Sequence, residues 1–338
     1  ETKKWVLTGN FQSTTQFFDR DDDIGANTVV YRKQKSSNES WLFTNLNYGD
    51  WNFSARYDLF NNSPLLNPQG AYSNQGLGFF QINRKIENLD ITIGHFYDQF
   101  ASGTIFRAYE DRNIGIDYAI RGVRLKYDVT DNFHLKAFSG QLKGNRFNRF
   151  DVFPERVQGL NSEFEFELGK NKKIRIQPGA SVVNRTLDET TMTAVAAEVQ
   201  SYPRAIRFND PKYNTYAINA YTTVNIKDFT FYGEYCYKTK ELIRDLTSNL
   251  NNDPGKGIYG ILSYGKNGLG KKKKRSIGAN IQYKRIDEFG FRIDPFVVQT
   301  SSLDGLISYL PSITRANAFR LLARYTAVVQ TLGDEAVQ

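Results

Sequence analysis

The sequence is thinly supplied with groups for nucleophilic or proton-transfer chemistry. Its 338 residues include two histidines, His95 and His134, and one cysteine, Cys236. A histidine acts as a general base when a hydroxyl, thiol or carboxylate partner is held beside it. Neither histidine has such a partner at a recognisable spacing, so a lipid-modifying enzyme is the weakest functional reading. His134 shares strand parity with Lys136 and is expected on the polar face; His95 falls at a strand end. A lone cysteine excludes an intrachain disulfide framework and a cysteine-based metal site. Asp19, Asp21, Asp22 and Asp23 could offer oxygen ligands to calcium. They lack the spacing and glycine of an EF-hand loop and read as a solvated loop. No catalytic residue, cofactor site or metal site is assigned.

Charge confined to one face is the more specific signal. Glu163, Glu165 and Glu167 alternate with Phe164, Phe166 and Leu168. After a turn at 169–173, Arg175, Gln177 and Ser181 alternate with Ile174, Ile176, Ala180 and Val182. A period of two sends the two sets to opposite faces of a strand. Antiparallel pairing across the turn sets Glu167 opposite Arg175. On other strands Arg124, Lys126, Lys136 and Glu234 fall on the polar face. Inside a barrel these eight charges would form either a sealed structural lining or a charged conduction path. Lys271, Lys272, Lys273, Lys274 and Arg275 precede another alternating strand, Ile277, Ala279, Ile281 and Tyr283. That basic run is expected in a solvated loop, or against anionic headgroups or an acidic partner, where each cation contributes about 1 kcal/mol.

Hairpins must position these charges. The segments 41–47 and 51–60, 76–84 and 89–97, 115–130 and 133–142, and 213–226 and 229–240 flank short turns rich in Asn, Asp and Gly. Val123, Leu125, Tyr127 and Val129 oppose Arg124, Lys126 and Asp128; Phe229, Phe231, Gly233, Tyr235 and Tyr237 oppose Thr230, Glu234, Cys236 and Lys238. Long polar connections near 17–38, 61–75, 98–114, 143–156, 185–212 and 241–256 join the hairpins. Short turns alternating with long loops are the two-sided layout of outer-membrane barrels. Within the connection at 185–212, residues 188–202 have helical character, with Asp188 as N-cap and Pro203 as terminator. That helix could lie on a surface loop or fold inward as a plug.

Composition agrees with strands rather than membrane helices. Mean hydropathy is −0.52, and no stretch approaches the ~18 apolar residues a membrane helix requires. Aromatics are 14%, with 25 Phe and 20 Tyr, which suits strands and interfacial girdles. The net charge of +8 fits a basic lumen or contact with anionic lipid; no nucleic-acid motif accompanies it. No Gly-x-Gly-x-x-Gly or P-loop pattern supports a nucleotide-binding α/β fold. A soluble β-sandwich is the structural alternative, but its strands would be nearer ~5–6 residues. The expectation is a single all-β domain over 1–338, an antiparallel transmembrane β-barrel of roughly 14 or more strands.

The stretch 89–142 resembles an outer-membrane β-barrel family of the Bacteroidota without an assigned activity. The likeness is carried by the runs at 94–103 (GHFYDQFASG), 107–115 (RAYEDRNIG) and 121–127 (RGVRLKY), with weaker echoes at 10–12 and at 307–314 (ISYLPSIT). That family is in turn similar to accessory components of the type 9 protein-secretion machinery. The resemblance implies a non-enzymatic subunit or membrane anchor of an export machine, with other envelope proteins and outer-membrane lipid as partners. A passive or substrate-selective pore is the alternative. It also implies that Arg107, Tyr109, Glu110, Asp111 and Arg112 fix a loop at the barrel mouth. Family members run well past the segment matching 307–314, and the last strand-like stretch, 319–330, has no terminal aromatic residue. Further C-terminal strands are therefore expected beyond this sequence.

Overall fold

The computed structural model describes residues 4–19, 22–23, 35–63, 72–112, 116–144, 148–169, 173–202, 211–244, 250–269, 275–287 and 289. The strands are β1 (Trp5–Phe17), β2 (Ser36–Tyr48), β3 (Trp51–Ser63), β4 (Tyr72–Ile86), β5 (Leu89–Phe96), β6 (Asp98–Gln99), β7 (Arg107–Ala108), β8 (Glu110–Asp111), β9 (Ile116–Asp117), β10 (Ile120–Thr130), β11 (Phe133–Lys143), β12 (Val152–Phe164), β13 (Phe166–Leu168), β14 (Ile174–Thr186), β15 (Asn214–Ile226), β16 (Phe229–Arg244), β17 (Leu250–Leu269) and β18 (Arg275–Asp287). Among the described residues one helix, α1 (Glu189–Ser201), lies between β14 and β15. The strand-like stretch 319–330 and the segment 307–314 lie outside the described residues.

Among the described residues one antiparallel sheet of 14 strands runs β1-β2-β3-β4-β5-β10-β11-β12-β14-β15-β16-β17-β18, with β13 continuing the line of β12 against β14, and β6-β7 and β8-β9 form two small two-stranded sheets. Neighbours in the sheet are neighbours in the chain except at β5–β10, where the connection 97–119 carrying β6 to β9 intervenes. Two-residue links join β2 to β3, β4 to β5, β10 to β11 and β15 to β16. β1 and β18 are the edges of the described sheet. Many of its strands are 13 residues long, enough to cross a hydrocarbon layer, which takes about 9–11 tilted residues.

Alternation gives the sheet its two faces. On β10, Val123, Leu125 and Tyr127 are exposed while Arg124 is buried; on β16, Phe229, Phe231 and Tyr235 are exposed while Glu234, Cys236 and Lys238 are buried. The pattern repeats at Leu42, Tyr57, Ile93, Leu160, Ile218 and Ile258, all apolar and all exposed. A continuous apolar outer face with charge inside inverts a water-soluble fold and matches strands that meet lipid. Among the described residues no helix is long and apolar enough to cross a membrane, which does not bear on a crossing made by strands. Aromatic pairs gather at the short-turn end: Trp5 on Tyr48 at 4.1 Å, Phe133 on Phe164 at 4.3 Å and Phe229 against Tyr264 at 4.8 Å. Amphipathic rings favour the interface between lipid and water.

The sheet is curled around the described parts of the connection, 97–112 and 116–119. Arg112 donates to Gln12 on β1 at 2.9 Å, and Ser102, ten residues earlier, donates to Glu234 on β16. These strands stand ten places apart in the sheet order, about 48 Å if flat at ~4.8 Å per strand. Around Ser102 the chain is folded back on itself, with Phe100 N–H donating to Phe106 C=O at 3.1 Å. It reaches both walls only because they face each other. The sequence-based expectation of a polar outer loop at 98–114 is corrected here. Phe100, Ile105 and Phe106, each fully buried, have a core to join on the inner side of the sheet, and an outward loop would leave them in water.

Candidate functional site: an infolded segment across the lumen

The inward segment is seated on an apolar cluster in the lumen. Phe100 and Phe106 pack on Phe138 of β11 at 5.6 and 4.3 Å between ring centres, and Phe96 closes on Phe138 at 5.9 Å. Leu142, Val157, Val183, Ala217 and Cys236 from β11, β12, β14, β15 and β16 also belong to the cluster. Gly159 on β12 makes room, since a Cβ there would run into Phe138 and Phe100. Gly103, at φ +87°, turns the tip, a conformation costly for residues with a Cβ.

Three acids on the segment meet cations on the wall. Asp98 accepts from Lys136 Nζ at 2.7 Å and from Arg124 Nη1 at 3.2 Å, with Lys126 Nζ 4.0 Å away. Asp117 accepts from Arg56 Nη2 at 2.6 Å, Lys143 Nζ at 2.5 Å and the Tyr97 hydroxyl at 2.7 Å. Glu110 accepts from Arg56 Nη1 and, at 3.1 Å, from Arg112 Nε. Arg56 also grips Asp58 through two bonds of 2.6 and 2.9 Å. Burial pushes the Asp117 carboxyl up, but Lys143, Arg56 and Arg149 outweigh it and hold the group well below the usual carboxylate range. Burial and the Asp117 and Glu110 charges push the Tyr97 hydroxyl up, so it stays a donor.

The remaining sequence-derived charges occupy separate places. Glu234 is buried on β16 and accepts from Ser102, from Asn219 Nδ2 at 2.6 Å and from the Tyr232 hydroxyl at 2.8 Å. Glu163 accepts from the Tyr221 hydroxyl at 2.7 Å. Glu167 is in register with Arg175, but the Arg175 ion pair at 2.6 Å is with Glu165, at the break between β12 and β13. Arg124, Lys126 and Lys136 converge on one carboxylate, whereas the Glu163–Arg175 ladder lies nearer the short turns. Lys271, Lys272, Lys273 and Lys274 lie outside the described residues; Arg275 opens β18 and is exposed.

Further residues were not singled out from sequence: Arg56, Asp98, Asp117 and Lys143. Their signal was weak, because single charges in polar stretches do not show which strand they will meet. In the 107–112 cluster Arg112 stacks over Phe43 of β2 at 4.4 Å, tying the segment to the wall, while Arg107 stacks over Tyr109 within the cluster at 4.3 Å. His95 is buried with Nδ1 accepting Phe80 N–H at 3.1 Å, and His134 pairs with Asp128 at 2.6 Å near a turn. Cys236 Sγ lies 3.3 Å from Glu234. Helix α1 has its Asp188 cap accepting Thr190 and Thr191 N–H at 3.0 and 3.3 Å. It buries Met192, Val195 and Val199, none of which belongs to the apolar cluster around Phe138.

Comparison with known proteins gives two findings. Among solved structures the chain is similar to OprB of Pseudomonas putida (10% identity, 85% of this chain and 76% of that one, TM-score 0.42), OccK8 (OprE) of Pseudomonas aeruginosa (9%, 83% and 94%, 0.36) and a BenF-like porin of Pseudomonas fluorescens (9%, 85% and 94%, 0.32). At that distance the barrel reading rests on the chain's own sheet. No curated protein matches it. The model of DUF6029, a family of unknown function, matches residues 1–338, and the chain belongs to that family.

Proposed function

We propose that this protein is a non-enzymatic outer-membrane barrel acting as a selective pore, with segment 97–112 as its constriction. The observation that carries this reading is the placement of Lys126 and Lys136 beside that segment, with 42% and 23% of their side chains still exposed. The segment thus narrows a wet, charged passage rather than burying all the charge around it. Below it the inner face stays polar, with Asn52 donating to Asn47 and Ser54 to Asn45, both at 2.6 Å. A lumen lined by charge and amides, inside a wall facing lipid, is built to select solutes by size and sign. Lipid is the partner of the outer face, and the outer membrane is where such strands find it. The export-machine subunit, with other envelope proteins as partners, rests on the sequence resemblance alone and is displaced by the pore.

The test is conductance in planar bilayers. The wild-type protein is expected to give discrete, stable steps. Replacing residues 98–112 with a short Gly-Ser linker is expected to raise the step size several-fold. Silence from a correctly folded sample, or a step size indifferent to the replacement, would overturn the reading.

A further inference from the structure

Lys126 on β10 and Lys136 on β11 are direct cross-strand partners, with Arg124 one step along the same face. Like charges placed opposite each other destabilise a sheet, so this triad needs an anion. The infolded segment supplies one: Asp98 gives Oδ1 to Lys136 at 2.7 Å and Oδ2 to Arg124 at 3.2 Å, and Lys126 stays at 4.0 Å. Asp90, across from Lys126 on β5, accepts from Asn83 at 2.6 Å. Three cations face these two carboxylates, which leaves positive charge in excess at a point water reaches.

We propose that Arg124, Lys126 and Lys136 form a binding station for small organic carboxylates in transit, and that Asp98 occupies it as a tethered stand-in. The proposal rests on the pore reading. Asp98 displays the fit directly, since its two oxygens are divided between a lysine and an arginine as a solute carboxylate's would be. A tethered group competes at an effective concentration of order millimolar. A solute must therefore displace it, and its apparent affinity is the intrinsic one multiplied by the fraction of time the station is free. Binding of that strength suits passage, because a transported ion has to leave as well as enter.

The full-length protein in planar bilayers tests this, with butyrate as the probe. In a potassium chloride gradient the wild-type channel is expected to prefer chloride by about two- to fivefold. Added butyrate is expected to reduce the current with half-saturation in the millimolar range. Asp98→Asn frees the station and is expected to lower the half-saturating concentration roughly tenfold. Lys126→Gln, which removes only the 4.0 Å contact, is expected to weaken butyrate block and chloride preference together. Heat-dependent gel migration shows whether Asp98→Asn folds; if it does not, Lys126→Gln carries the test. A conducting channel without anion preference, or one whose butyrate response ignores the folded variants, overturns the station and leaves the pore standing. A wild-type protein that conducts nothing overturns the pore and the station with it.

Discussion

At the scale of single residues, the interior is organised by carboxylates that have to be ionised. Asp117 is 1% exposed and meets Arg56 and Lys143, which are equally buried. Buried charges of this kind are costly unless paired, and removing one partner typically costs about 3–5 kcal/mol. The Asp117 carboxyl titrates below its ordinary 3.8 in the folded protein. Its contribution is therefore complete above that value and is lost as the pH falls below it. Hydrogen exchange of residues 97–112, corrected for the intrinsic pH dependence, should be flat from about pH 7 to 5 and rise below about 4. Asp117→Asn should raise exchange at every pH and flatten the acid rise. A wild-type curve breaking near neutrality would assign the anchoring to another group.

At the scale of elements, the tip of the infolded segment depends on backbone freedom. Gly103 has φ +87°, and an added Cβ would lie 3.2 Å from Arg107 Cδ. Gly103→Ala should cost about 1–2 kcal/mol locally, seen as faster exchange and protease cutting within 97–112. The surrounding strands should keep their protection, because their ladders do not include this turn. Ala101, at φ +48°, already bears the same strain one turn earlier. Equal loosening of the strands after Gly103→Ala would mean that the segment is part of the sheet's folding unit rather than seated on it.

At the scale of the molecule, the outer face decides where the protein is stable. Leu125 is 40% exposed at the middle of β10, between inward Arg124 and Lys126. In lipid, Leu125→Arg should cost about 2–4 kcal/mol, the penalty for a cation on the lipid face near the midplane. Gln177→Arg, on the inner face of β14, should cost far less. Urea titration of both variants folded into phospholipid vesicles makes the comparison. Equal costs would mean that the outer face does not meet hydrocarbon.

Local pattern determined much of this protein. The alternation in 120–130 and 229–240 assigned those strands their faces, and an Asn, Asp or Gly in each link located the two-residue turns. Such features were legible because a side chain's face depends only on its own strand. The Asp188 cap was legible for the same reason, its partners lying two and three residues away. What only the tertiary structure decided is the fate of 97–119. Its polarity resembles that of an outer loop, and its buried Phe100, Ile105 and Phe106 share a cluster with residues of strands that follow much later, up to Cys236. The pairing of Asp98 with Lys136, of Asp117 with Arg56 and of Ser102 with Glu234 likewise needs a curled sheet, because curvature brings distant strands to one point. A one-dimensional pattern records which way each side chain faces, but not which opposite wall it will meet.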